Sequence, residues 1–257
     1  MIQVEPVPAF QDNYIWLIIQ ADNRRVVIVD PGDAVPVLQC LRTRRLSPVA
    51  ILITHHHRDH TGGVLELLAH FKIPVYGPVA ETIPGRTHAL DEGDCVDVPD
   101  LDLRFQILAM PGHTAGAIAY YGAGMVFVGD TLFMSGCGRL FEGTAAQMHN
   151  SLGRLAALPD DTQVYCAHEY TLANLKFAQS VEPGNPDILL RIEQCEARRA
   201  ASQPTVPGTI GLEKLTNPFL RTQVPQVISA AEQHSQLKSA GAIEVFAALR
   251  SWKDHFK

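Results

Sequence analysis

The sequence predicts an α/β layered domain followed by a mainly helical region. Three observations carry this reading. Over the first two thirds of the 257 residues, short apolar runs alternate with amphipathic stretches. That pattern places strands inside and helices outside. The strand-like runs then stop near His168. The charge balance shifts at the same point: residues up to 168 hold 11 basic and 18 acidic side chains, and the rest hold 10 and 9. Two solvated faces of ordinary composition would give the same charge counts, so the apolar pattern is the stronger sign.

The predicted strands are Tyr14–Ile19, Arg25–Val29, Val49–Ile53, Leu103–Ala109, Met125–Val128 and Gln163–Ala167, most of them rich in β-branched or aromatic residues. Helices are expected over Ala34–Arg45, Gly63–Phe71 and Thr144–Leu158, the last with Thr144 as N-cap. After residue 168, Asn185-Pro186 reads as a cap with proline in the first helical turn. Ile188, Leu189, Ile192 and Cys195 then share one helical face, and Val224, Val227, Ile228 and Ala231 repeat the pattern. The expected domains are 1–168 and 169–257.

Composition removes several functions. A net charge of −6 lacks the basic excess of a nucleic-acid binder. No apolar run approaches the ~18 residues of a membrane span. The start, Met1-Ile2-Gln3-Val4-Glu5-Pro6, has neither the basic nor the apolar segment of a signal peptide. Five cysteines, odd in number and without CxxC spacing, read as buried thiols of a reducing compartment. A cytoplasmic protein is expected.

The chemistry concentrates in Thr54-His55-His56-His57-Arg58-Asp59-His60, directly after the run Val49–Ile53. In extended backbone His55 and His57 point one way and His56 another. A helical pattern from Thr61-Gly62-Gly63-Val64 should turn the chain and bring Asp59 and His60 toward the same cavity. His113, Asp130 and His168 also follow strand-like runs. Alone, each reads as an ordinary loop residue. Together with the histidine cluster they make four strand-end loops, which converge on one edge of α/β folds. Five imidazoles and two carboxylates exceed the four ligands of one tetrahedral zinc, so two metals are expected, with a carboxylate bridging them. The donor set suits zinc, iron or manganese alike.

Thr54-His-x-His-x-Asp-His60, Gly112-His113, Gly129-Asp130 and His168 resemble the metallo-β-lactamase superfamily. The resemblance narrows with Gly136-Cys137-Gly138-Arg139-Leu140-Phe141-Glu142-Gly143-Thr144, His168-Glu169-Tyr170-Thr171 and Asn174-Leu175-Lys176-Phe177-Ala178. It narrows again with Pro204-Thr205-Val206-Pro207, Asn217-Pro218-Phe219 and Leu249-Arg250-x-x-Lys253-Asp254-x-Phe256. These are similar to the glyoxalase II (hydroxyacylglutathione hydrolase) family, over nearly the whole chain from Phe10.

The resemblance implies an αββα sandwich followed by a helical glutathione-binding domain. It implies one metal on His55, His57 and His113 and a second on Asp59, His60 and His168. Asp130 would bridge them with a hydroxide as nucleophile, zinc being the first expectation. It also implies that Arg139, Phe141, Tyr170, Arg250 and Lys253 grip glutathione. Where the family often has Lys and Tyr, this chain has Arg139 and Phe141, and Phe141 offers no phenolic hydrogen bond. The implied reaction is hydrolysis of S-D-lactoylglutathione, the second step of methylglyoxal detoxification, by a monomer. A thiolate leaving group needs little help from a general acid, which suits a chain with no acid apparent beyond the ligands. The rivals are a β-lactamase, which commonly has Cys at the position of Asp130, a mononuclear-iron persulfide dioxygenase, and a tRNA-processing nuclease, which the negative charge opposes. A non-hydrolytic di-iron protein is a fourth.

Overall fold

The computed structural model describes residues 2–236, 238 and 240–256. Met1 and Lys257, the outer ends of the two expected domains, lie outside the described residues. The chain divides into two compact units: Met1–Met110 with Thr114–Gly129, and Pro111–His113 with Asp130–Lys257.

The first unit opens with a mixed six-stranded sheet in the order β1-β2-β3-β4-β5-β6. Its strands are β1 (Ile2–Ala9), β2 (Asn13–Gln20), β3 (Arg25–Val29), β4 (Ser47–Leu52), β5 (Val75–Pro78) and β6 (His88–Leu90). β1 to β3 pair antiparallel and β3 to β6 parallel. Helices α1 (Ala34–Arg44), α2 (Arg58–Thr61) and α3 (Val64–His70) lie in the crossovers. Val37 and Leu41 of α1 and Val64 and Leu67 of α3 pack with Leu17, Ile28 and Ile51 of the sheet into one core. Each such fully buried side chain contributes about 1.5–3 kcal/mol.

A second, antiparallel sheet follows, of β7 (Cys95–Val98), β8 (Leu103–Ala109), β9 (Ile118–Gly122) and β10 (Met125–Gly129). It faces the first: the buried Tyr120 hydroxyl donates to the Ile53 carbonyl at 2.9 Å. β2 is buried along seven of its eight residues because both of its faces are covered.

The second unit holds the hairpin β11 (Leu132–Phe133) and β12 (Gly136–Cys137), then α4 (Ala145–Ala156) and β13 (Gln163–Cys166). Then come α5 (Thr171–Val181), α6 (Pro186–Ala200), β14 (Gly208–Thr209), α7 (Ile210–Thr216), α8 (Pro225–Ser235) and α9 (Ala242–His255). Thr144 caps α4 in a reciprocal box with Gln147. Asn185 caps α6 ahead of Pro186. Two expectations need correction. One short strand, β14, occurs beyond residue 168, pairing antiparallel with β13. Leu189 is 41% exposed, so the buried stripe of α6 runs through Ile188, Arg191 and Cys195.

Arg191 makes that stripe polar. It is almost wholly buried, and its Nη2 donates to Glu213 Oε1 at 2.6 Å. Its Nη1 donates to the Ser135 and Thr216 hydroxyls. Glu213 Oε2 accepts from the Ser135 amide at 2.7 Å and from Asn217 Nδ2 at 2.9 Å. Asn217 Nδ2 also donates to the carbonyls of Phe133 and Gly136. A hairpin with two-residue strands has little stability of its own. Side chains from α6, α7 and the turn after α7 hold it in place.

Candidate metal centre

Parallel strands β3, β4 and β5 end side by side, and the first unit's functional residues lie just beyond their carboxyl ends, where α/β sheets commonly bind ligands. After β3 comes Asp30, buried and at φ 50°. Its carboxylate accepts from the Thr54 amide at 2.8 Å, the Thr54 hydroxyl at 2.7 Å and His60 Nδ1 at 3.0 Å. After β4 comes the histidine loop. His55 and His57 turn their rings together, with His55 Nε2 and His57 Nδ1 3.1 Å apart. His56 turns to Glu81 instead, Nδ1 lying 3.1 Å from its carboxylate. A helix does begin at the glycines, α3 with Gly63 at its N-cap, but a separate short turn precedes them, so Asp59 and His60 sit on one turn of α2. His60 Nε2 is 3.7 Å from Asp59 Oδ2, which also accepts from Asn13 Nδ2 at 3.0 Å.

Gly129, at φ 51°, ends β10 against this loop. A Cβ there would lie 2.3 Å from the Thr54 hydroxyl and 3.3 Å from His55 Nδ1. Only glycine accepts both the backbone angle and the approach.

In the second unit Asp130 is the hub. Its Oδ2 lies 3.4 Å from His113 Nε2 and 3.4 Å from His168 Nε2. His113 Nδ1 donates to the Arg139 carbonyl at 2.9 Å, which fixes the tautomer and turns the Nε2 lone pair toward Asp130. Gly138 permits this turn: a Cβ there would sit 1.9 Å from the Asp130 carbonyl oxygen. Tyr170 stacks on His168, centroids 4.8 Å apart and planes within 4°, and Phe133 meets both rings edge-on.

These side chains fit a metal. Two nitrogens each ~2.0–2.1 Å from a tetrahedral ion lie about 3.3 Å apart. The His55–His57 spacing and both Asp130–histidine spacings are close to that value. The second ring nitrogens of His60 and His113 are held by a carboxylate and a carbonyl, as is usual for ligating histidines. His55, His57, Asp59 and His60 in the first unit, and His113, Asp130 and His168 in the second, are each of a type able to hold an ion.

Arg139, Phe141, Tyr170, Arg250 and Lys253 line one cleft of about 460 Å³ together with His113 and Asp130. Arg250 is buried, not a solvated helix-face cation. Its Nη1 donates to the Cys137 carbonyl at 2.8 Å and its Nη2 to Asp254 at 2.9 Å. Lys253 lies over the rings of Phe177 and Phe256 and donates to the Ala173 carbonyl. Burial, then the neighbouring Arg250 and Arg139, pull its pKa down. Phe141 is 63% exposed and meets His113 edge-on. The Cys137 thiol in the cleft wall is pushed up to about 11 by burial, and Cys166 to about 12, so neither is a nucleophile at neutral pH. Of the other histidines, His149 bonds Thr222 and His234 stacks on Trp252.

Sequence reasoning missed Asp30, Asn13 and Glu81. Asp30 carries the same sign as Asp130, a carboxylate directly after a buried strand run. The other two carry none.

Residues 10–168 match the metallo-beta-lactamase superfamily, and residues 169–256 match the hydroxyacylglutathione hydrolase C-terminus family. The chain is 55% identical over 254 residues to the hydroxyacylglutathione hydrolase of Alkalilimnicola ehrlichii, covering 99% of both. It is 51% identical over 257 residues to that of Nitrosomonas europaea, covering 100% of this chain and 97% of the relative. Among solved structures, ETHE1 from Myxococcus xanthus aligns with a TM-score of 0.66 at 26% identity, over 98% of this chain and 99% of that one. The BLEG-1 B3 metallo-beta-lactamase aligns at 0.63 and 26%, over 86% and 99%. The fold is therefore the two-sheet sandwich of this superfamily with a helical C-terminal region. With both halves matched and full-length identity above one half, the chain belongs to the hydroxyacylglutathione hydrolase (glyoxalase II) family.

Proposed function

We propose that this metal-dependent thioester hydrolase acts on S-2-hydroxyacylglutathione, with S-D-lactoylglutathione as the substrate, and serves as the second step of methylglyoxal detoxification. The observation that carries the reading is one cleft lined both by the ligand-type side chains His113 and Asp130 and by the cations Arg139, Arg250 and Lys253. His113 and Asp130 would take part at the reacting centre. Arg139, Arg250 and Lys253 outnumber Asp254 and suit the carboxylates of glutathione.

His55, His57 and His113 would hold one divalent ion, and Asp59, His60 and His168 the other. Asp130, whose carboxylate lies 3.4 Å from both His113 and His168, would be shared by the two ions. Zinc is the first choice of metal and iron or manganese the alternatives. When bound, the ions supply Lewis-acid polarisation of the carbonyl and acidify water toward neutral pH. The protein's own part is to fix the ligands, orient the peptide along α9, and let the thiolate leave without a dedicated acid. Tyr170, stacked on His168, and Phe141 would flank the thioester. Free, mostly buried cysteines support a cytoplasmic setting, and we read the enzyme as a monomer. Among the described residues, no helix is long and apolar enough to cross a membrane.

Incubation with S-D-lactoylglutathione, following thiol release and oxygen uptake together, tests the activity. Thiol release without oxygen uptake is expected; oxygen consumption would favour a persulfide dioxygenase. Elemental analysis of the loaded protein should reach a plateau at two metals per chain, and a plateau at one would overturn the dinuclear reading.

Lys253→Ala is the cleaner probe of these cations, because Arg250 is also built into the fold. Lys253 contacts lie far from the scissile bond and hold ground and transition states alike, so its loss should raise KM more than it lowers kcat. A fall of roughly tenfold in kcat/KM is expected for the glutathione substrate. A small thioester lacking the peptide carboxylates should be unaffected, and an equal loss on both would refute the assignment.

A further inference from the structure

We infer that Glu81 is the positioning residue of the His55–His57 metal position, acting through backbone rather than through any ligand side chain. The inference rests on the proposed metal centre. The segment after β4 is irregular, so its amides lack the partners a strand would give them. Two carboxylates supply them in alternation. Asp30 takes the Thr54 amide at 2.8 Å, and Glu81 takes the His56 amide at 2.6 Å. Residues 54 and 56 are thereby pinned through their backbones, and the side chains between and after them, His55 and His57, face each other.

Asp30 also touches His60 directly. Glu81 touches none of the seven ligand-type side chains. Its second oxygen accepts from the Thr114 hydroxyl at 2.5 Å and the Gly116 amide at 3.1 Å. Thr114 is the residue after His113, so one carboxylate ties the histidine loop to the segment that follows a third histidine. The side chain is only 3% exposed. Its backbone is fixed in turn, the Glu81 carbonyl accepting from Arg86 Nη1 at 2.7 Å. Gly116 leaves it room, since a Cβ there would lie 2.7 Å from Glu81 Cγ. A buried carboxylate that accepts two amides, a hydroxyl and an imidazole is costly to place and specific in what it orders. Groups that orient ligands commonly change metal affinity by about 10–100-fold when removed.

Glu81→Gln keeps the volume but sets an amide donor against either the His56 amide or the Thr114 side, so one half of the bridge is lost. Competition of the zinc-loaded protein against a chromogenic chelator should show the variant releasing zinc at about 10–100-fold lower chelator strength. The melting temperature of the metal-free protein supplies the readout that separates positioning from general support. Positioning predicts a larger loss in metal affinity than in metal-free stability. Thr114→Val, which removes one bond only, should move affinity in the same direction by a smaller factor and covers the case in which Glu81→Gln does not fold. Unchanged zinc affinity in both variants, or a loss of metal-free stability with affinity intact, would overturn the role of Glu81. Wild-type protein that fails to retain zinc would instead overturn the metal centre itself.

Discussion

Asp130→Ala is expected to deplete both metals and lower kcat by roughly 10³-fold or more. The carboxylate oxygen 3.4 Å from both His113 and His168 is the atom that alanine removes. Lewis-acid stabilisation is worth several kcal/mol, and each 1.36 kcal/mol is about tenfold in rate. The comparison that gives this result meaning is His56→Ala. His56 belongs to the same histidine cluster, but its ring faces Glu81, and alanine keeps the amide that Glu81 accepts. It should retain two metals and turnover within a few fold. Elemental analysis and initial rates on both proteins decide the matter, and equal losses would mean that the wrong histidines have been assigned.

Arg191→Met should have the largest effect on stability, about 3–5 kcal/mol. Methionine fills much of the space but leaves Glu213, which is fully buried, without its guanidinium. For a chain of this length that corresponds to a fall of roughly 6–20 °C in melting temperature. The double change Arg191→Met with Glu213→Leu should recover part of the loss by removing the stranded charge. Full recovery is not expected, because Glu213 also holds the Ser135 amide and Asn217. Calorimetry of the three proteins tests this. A single variant that melts within 2 °C of the parent would show that the pair carries no such burden.

Much of the fold was legible where one rule acted alone. Arg25–Val29 and Leu103–Ala109 are strands over the residues expected, because each is a short apolar or alternating run between turns. β1 was missed because Pro6 and Pro8 interrupt its pattern, and an edge strand tolerates proline that a central one does not. β7 and β9 were missed because four or five residues with glycines, acids or tyrosines carry too little periodicity to be told from loop. Helix α3 opens at Gly63 as expected, whereas the separate turn α2 was missed because four residues carry too little periodicity to be read as helix.

The candidate site divides in the same way. His55, His57, Asp59, His60, His113, Asp130 and His168 stand out because each follows a strand-like run, and strand ends are visible in sequence. Asp30, Asn13 and Glu81 matter through which strands are neighbours. β3, β4 and β5 lie side by side only after two crossovers have folded, and no local spacing records that order.

The compact units bear on how such chains can be inherited and recombined. His113, Asp130 and His168 belong to the same compact body as helices α5 to α9. The backbone between Asp130 and Arg139 takes donors from Asn217 and Arg250, far along the chain. A hybrid joined at residue 168 to a foreign C-terminal third would keep all seven ligand-type residues in its sequence, yet leave the carbonyls of Phe133, Gly136 and Cys137 to whatever donors the newcomer brings. A C-terminal third exchanged between relatives is therefore expected to carry the shape of the Asp130–Arg139 loop with it, and lineages are free to shuffle it only among partners that preserve those donors.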